Sequence, residues 1–206
     1  MYVARILYPV RVLGPGDRLG IWFRGCPRRC RGCSNPELWE QAPESLTTCR
    51  DVLGLIDKIG AVNRIDGFTL SGGDPFYQPE ALEELLPALN RISGDILVYT
   101  GYLYEDLKDR YPALLEQISV LIDGEYIEEQ NNGSVLKGSD NQRVFYLRPG
   151  YRAAYEEYQR GKTAMVQSFE TRGGIITAGI HKPGYKSEFY KRLSEKGLLV
   201  APGEKK

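Results

Sequence analysis

Residues 67–101 decide the fold: Gly67-Phe68-Thr69-Leu70-Ser71-Gly72-Gly73-Asp74-Pro75, a stretch from Pro79 to Ile92, then Asp95-Ile96-Leu97-Val98-Tyr99-Thr100-Gly101. Each end of this stretch is a short apolar run closed by glycine, the pattern of a buried strand meeting a turn. Between them Leu82, Leu85, Leu86, Leu89 and Ile92 recur at helical spacing, with Pro79 suited to a first helical turn. Strand, helix, strand is the unit from which parallel sheets are assembled.

The alternation continues in both directions. Upstream, Leu19-Gly20-Ile21-Trp22-Phe23 follows the turn Gly14-Pro15-Gly16-Asp17 and reads as a strand ending at Arg24-Gly25. Val52, Leu53, Leu55, Ile56 and Ile59 then mark a helix, with Thr47 and Thr48 as candidate caps. Downstream, residues 104–117 read as a helix bent or divided at Pro112, and Ser119-Val120-Leu121-Ile122 as a fourth strand ending at Asp123-Gly124. Further strands are predicted at 143–147, 163–168 and 174–180, further helices near 150–160 and 185–196, and a frayed tail over 202–206. Regular βα units predict an α/β fold with a parallel sheet. A full eight-unit barrel takes about 250 residues, so a chain of 206 predicts a partial barrel in one domain.

Composition narrows the function. Lys plus Arg and Asp plus Glu each number 27, so the chain lacks the basic excess of a nucleic-acid binder. No apolar run is long enough for a membrane span, and Met1–Leu13 is broken by Arg5, Pro9 and Arg11 without a cleavage pattern, so a cytoplasmic location is expected.

Cys26, Cys30 and Cys33 stand at i, i+4 and i+7, the spacing of one helical face. The residues around them oppose a helix: Gly25, Pro27, Gly32 and Asn35-Pro36 break it, and Arg28, Arg29 and Arg31 are poor core neighbours. A loop that gathers three soft thiols points to zinc or an iron–sulfur cluster. Zinc would need a fourth ligand, for which Cys49 is available. A cubane cluster held by three cysteines would instead leave one iron open to a reacting molecule.

The run Cys26-Pro27-Arg28-Arg29-Cys30-Arg31-Gly32-Cys33-Ser34-Asn35-Pro36-Glu37-Leu38-Trp39 resembles the CxxxCxxC loop of the radical S-adenosylmethionine (SAM) enzymes. Its Asn-Pro-Glu-x-Trp continuation is similar to the activases of anaerobic, class III ribonucleotide reductase, a glycyl radical enzyme. The resemblance implies a partial (β/α)6-type TIM barrel and a [4Fe-4S] cluster on Cys26, Cys30 and Cys33. It further implies that SAM binds the open iron and is cleaved reductively to a 5′-deoxyadenosyl radical. It covers roughly residues 15–145; residues 148–206 do not resemble the activases.

By the same resemblance, Gly72-Gly73-Asp74-Pro75 matches a segment that receives the methionyl amino group, and Gly32 and Ser34 of the cysteine loop join the cofactor site. As bare sequence, Ser71–Pro75 could equally be a turn. Thr100 and Asp123 end successive strands, at the rim where βα folds build their chemistry; Asp123 could hold a SAM hydroxyl, bind a cation or cap the next helix. Lys137–Arg143 is similar to an activase segment, and Arg143 could pair with the SAM carboxylate or lie on the surface. No catalytic side chain beyond the cluster ligands is predicted.

Arg24, Arg28, Arg29 and Arg31 could raise the cluster potential, dock an acidic flavodoxin- or ferredoxin-type electron donor, or simply be solvated. His181, the only histidine, is expected to be structural or on the surface, and Cys49 a half-buried helix residue. Three functions follow. The first is an activase for a glycyl radical enzyme. The second is a radical SAM enzyme acting on a small molecule or peptide, motivated by the unmatched carboxy-terminal third. The third is a zinc module with Cys49 as fourth ligand.

Overall fold

Eight strands and six helices follow one another in a computed structural model that describes residues 1–160, 162–171 and 174–197. The predicted frayed tail lies outside the described residues. The strands are β1 (Val3–Val10), β2 (Arg18–Phe23), β3 (Gly67–Gly72), β4 (Ile96–Tyr99), β5 (Val120–Asp123), β6 (Arg143–Tyr146), β7 (Val166–Thr171) and β8 (Gly174–Gly179). The helices are α1 (Cys49–Gly60), α2 (Pro79–Asn90), α3 (Tyr104–Arg110), α4 (Pro112–Leu115), α5 (Arg152–Gln159) and α6 (Tyr185–Glu195). Pro112 does divide the predicted 104–117 helix, by starting α4. Thr48 caps α1, its hydroxyl accepting from Asp51 N at 3.1 Å.

The main sheet has the order β1-β2-β3-β4-β5-β6, and β7 with β8 forms a separate hairpin. β2 to β5 are mutually parallel, as the βα reading requires. β1 and β6 are antiparallel to their neighbours. The sheet is open, so the expected series of six βα units is replaced by four parallel strands between two antiparallel edges. β1 was not read as a strand, because Arg5 and Pro9 interrupt its apolar pattern; an edge strand tolerates both.

Alternation along the strands divides the core between two faces. Leu19, Ile21, Phe23, Phe68, Leu70, Ile96 and Val98 pack with Val52, Ile56, Leu82, Leu85, Leu86, Leu107 and Leu114 of α1 to α4. On the opposite face Leu97, Val120 and Ile122 meet Tyr155 and Tyr158 of α5, while Trp22 and Val10 meet Ala178 and Ile180 of the β7–β8 region. At the amino ends of the strands Arg18, fully buried, donates to Asp95 Oδ2 at 2.7 Å and to Thr69 Oγ1 at 2.7 Å. Asp95 also accepts from Tyr155 Oη at 2.7 Å, so one network ties three parallel strands to α5. The opposite, carboxyl ends are left for the site.

Candidate functional site

The chain leaves the carboxyl end of β2 as a loop, with left-handed backbone at Gly25 (φ +98°), Arg29 (φ +50°) and Gly32 (φ +71°) in place of a helix. Two hydrogen bonds clasp its base, Gly25 N to Leu38 O and Cys26 N to Trp39 O, both 2.9 Å. Cys26, Cys30 and Cys33 are partly buried and line one cavity. Asn35 N donates to Cys33 Sγ at 3.4 Å, and the backbone N–H groups of Arg28 and Arg29 near Cys26 and of Tyr126 near Cys30 favour the thiolates there. Burial pushes the thiols of Cys26 and Cys30 up, so free thiolates are disfavoured there. Three sulfurs lining one cavity, with an amide donor on Cys33, fit ligation of a cluster, whose thiolates take such hydrogen bonds. Cys49 stands apart. It is buried at the start of α1 among Val52 and Ile56, so the four-thiol zinc arrangement is not assembled.

β3 delivers the next part of the site. Gly73 N donates to Phe23 O at 2.8 Å and Asp74 N to Gly25 O at 2.9 Å, which clamps the Gly-Gly segment against the root of the cysteine loop. A Cβ on Gly73 would sit 2.4 Å from Gly25 O, so only glycine permits this approach. Asp74 is buried; its carboxylate accepts from Phe76 N at 3.0 Å, Thr100 Oγ1 at 2.9 Å and Gly101 N at 2.9 Å. Burial raises its pKa to about 6, against the lowering effect of those donors. Asp74 thereby holds the end of β4 in register with the end of β3.

The cavity brings together most of the residues singled out from sequence. Ser34, Gly72, Gly73, Asp74 and Thr100 line it with the three cysteines. Pro75 is buried behind it at the start of a 3-10 turn, Pro75–Tyr77. Gly32 lines an adjoining groove, which shares Cys33, Ser34, Trp39, Tyr126 and His181 with the cavity. Asp123 and Arg143 are absent from the lining. Asp123 is fully buried, accepts from Tyr104 N at 2.8 Å at the start of α3, and pairs with Arg143. It therefore holds the start of α3, which lies upstream of its own strand, rather than capping the helix after that strand. Arg143 also pairs with Glu105 at 2.7 Å. From the same segment Gln142 does reach the cavity, and its Nε2 donates to Gly124 O at 2.8 Å, fixing the loop that carries Tyr126.

Several lining residues were not assigned to the site from the sequence. Trp39, Tyr126 and Gln142 come from loops, while Thr177, Ala178, Gly179, Ile180 and His181 come from the carboxy-terminal third. His181 is thus part of the site, its ring Nε2 3.0 Å from Thr177 Oγ1 and its carbonyl accepting from Asn131 Nδ2 at 2.8 Å. The arginines of the cysteine loop are each paired: Arg24 with Glu44 at 3.1 Å, Arg28 with Glu125 at 2.8 Å, Arg29 with Glu40 and Arg31 with Glu129 at 3.3 Å. These pairs neutralise much of the basic patch that the sequence suggested.

Three thiols that share a cavity at the carboxyl ends of parallel strands fit one class, proteins built around a single iron–sulfur cluster. The family model described as a 4Fe-4S single cluster domain matches residues 12–145. The chain is 34% identical over 145 residues to the anaerobic ribonucleoside-triphosphate reductase-activating protein of Enterobacteria phage T4, covering 68% of this chain and 90% of that protein. It is 36% identical over 145 residues to the protein of the same name from Haemophilus influenzae, covering 66% and 93%. A pyruvate formate-lyase-activating enzyme of Clostridium pasteurianum is 30% identical over 125 residues, covering 56% of this chain and 49% of that enzyme. The chain belongs to the anaerobic ribonucleoside-triphosphate reductase-activating family of radical SAM activases.

Proposed function

We propose that this chain generates a glycyl radical on a partner enzyme, an anaerobic ribonucleotide reductase, with a [4Fe-4S] cluster and SAM as its cofactors. The observation that carries this reading is one cavity lined by Cys26, Cys30, Cys33, the Gly72–Asp74 segment and Thr100. When bound, the cluster and SAM supply one electron and a carbon radical able to take hydrogen from a glycine Cα. The chain's own residues supply binding and geometry. Cys26, Cys30 and Cys33 hold the cluster, with Gly32 and Ser34 shaping the loop beside it. Gly72 and Gly73 let the end of β3 come close enough for its carbonyls to receive an ammonium group, and Pro75 starts the turn behind it. Asp74 and Thr100 hold that end against the end of β4. Leu13, Trp22 and Tyr99 give the cavity an apolar wall that excludes water.

Arg143 and Asp123 act in this reading as supports, fixing α3 and β5 at the rim. A flavodoxin- or ferredoxin-type protein would deliver the electron, and the free thiols suit a reducing, cytoplasmic location. No helix among the described residues is long and apolar enough to cross a membrane. The test is anaerobic reconstitution with iron and sulfide, followed by SAM and a reductant. Methionine and 5′-deoxyadenosine should appear, and an added anaerobic ribonucleotide reductase should gain a glycyl radical signal. Colourless protein holding zinc without sulfide would overturn the proposal.

The carboxy-terminal third gives a second reading a specific basis. Thr177 to His181 line the cavity yet lie beyond the matched residues 12–145, so the acceptor could instead be a small molecule or peptide shaped to that wall. Cleavage of SAM without radical transfer to any reductase would favour it.

A further inference from the structure

Among the described residues, Arg28 Nε and Trp39 Nε1 are buried donors in the cavity wall without a hydrogen-bond partner. An orphaned buried donor is unfavourable, and a ligand that accepts from it removes the penalty. Trp39 is neutral and offers a single N–H, so it selects for no charge. Arg28 differs. One edge of its guanidinium is anchored, Nη1 lying 2.8 Å from Glu125 Oε1, and its plane lies over the Tyr102 ring at 4.7 Å. A guanidinium fixed in this way keeps its remaining donors pre-organised for a planar anion.

The charges around it match one part of the proposed cofactor. A Cβ on Gly101 would stand 2.9 Å from Arg28 Cγ and 3.5 Å from Asp74 Oδ2, so a cationic side chain and a carboxylate stand side by side in the cavity. The methionyl end of SAM carries one ammonium and one carboxylate. Arg143, the residue that the sequence offered for the carboxylate, is outside the lining and occupied by Asp123 and Glu105. Among the described lining residues Arg28 and His181 are the basic side chains, and Arg28 alone offers the planar fork that matches a carboxylate. We propose that Arg28, within the cysteine loop, binds the carboxylate of SAM. This rests on the SAM reading above and adds a binding residue to it.

The experiment is anaerobic equilibrium dialysis of the cluster-loaded protein with SAM and, separately, with its decarboxylated analogue. The readout is the ratio of the two affinities, which is independent of turnover. Arg28→Gln should lower the ratio by about 10- to 100-fold, the value of a charge-assisted hydrogen-bonded pair. Iron content and the visible spectrum report whether the variant still holds its cluster. If it does not, Arg28→Lys, which keeps the charge and loses the fork, should lower the ratio by a smaller factor. An unchanged ratio in a cluster-loaded variant overturns the assignment to Arg28. A wild-type protein that holds its cluster but binds no SAM overturns the function proposed above instead, so the two failures are distinct.

Discussion

Asp74 accepts three kinds of donor and still sits in a place that disfavours its charge, which raises its pKa to about 6. In the unfolded chain the same group titrates near 4, so between these values the folded state holds a proton that the unfolded state has lost. Stability from this group is therefore full at low pH and declines as pH rises from about 4 to about 6. In cluster-free protein, the stability of wild type relative to Asp74→Asn should improve by about 1 kcal/mol as pH falls from 7 to 5, read from urea midpoints. Removing Arg18 is a larger perturbation, because Asp95 would stay buried without its guanidinium. Arg18→Met should cost about 3–5 kcal/mol by urea denaturation. At the ligands, Cys30→Ala should abolish both the iron–sulfur absorbance and SAM cleavage, while Cys49→Ala should leave the absorbance intact.

The cysteines were legible because their spacing and breakers are local. Arg143 was not, since Asp123 and Glu105 are 20 and 38 residues away in the chain and only the fold brings them into contact.

Between elements, the decisive contact joins the end of β3 to the loop after β2. It consists of two backbone hydrogen bonds and a glycine without room for a methyl group. Gly73→Ala should therefore push the Gly72–Asp74 segment away from the thiols. Iron bound per chain after reconstitution should drop severalfold while the far-ultraviolet circular dichroism stays near wild type. The parallel strands β2 to β5 were readable as short apolar runs closed by turns, and helices α1 and α2 by their 3.6-residue period. Gln78 illustrates what periodicity misses. Its side chain accepts from Tyr2 N at 2.6 Å and donates to Arg24 O at 2.8 Å, clamping β1 to the root of the cysteine loop. Nothing in the pattern of residues 1–13 announces that clamp.

Across the whole molecule, the matched core ends at residue 145, and Thr177 to His181 from beyond it come back to line the cavity. Ala178 and Ile180 pack on Leu7, Val10, Trp22 and Leu38, and Gln167 brackets Pro9 and Arg11 with hydrogen bonds of 2.8 and 3.0 Å. Ile180→Asp would bury a charge against that apolar patch and detach the wall. The cluster should still assemble under anaerobic conditions, yet its absorbance should bleach several times faster in air than that of wild type. Because the wall closes on residues distant in the chain, no local motif marked His181 as part of the site.

The order of the sequence sets an order of manufacture. The three thiols leave the ribosome well before the strip of residues 177–181 that lines the cavity with them. During synthesis they stand open to oxidants and stray metals, and the finished pocket exists only once that later strip has emerged. A carrier that hands over preformed iron and sulfide would meet its best-defined acceptor at that late moment.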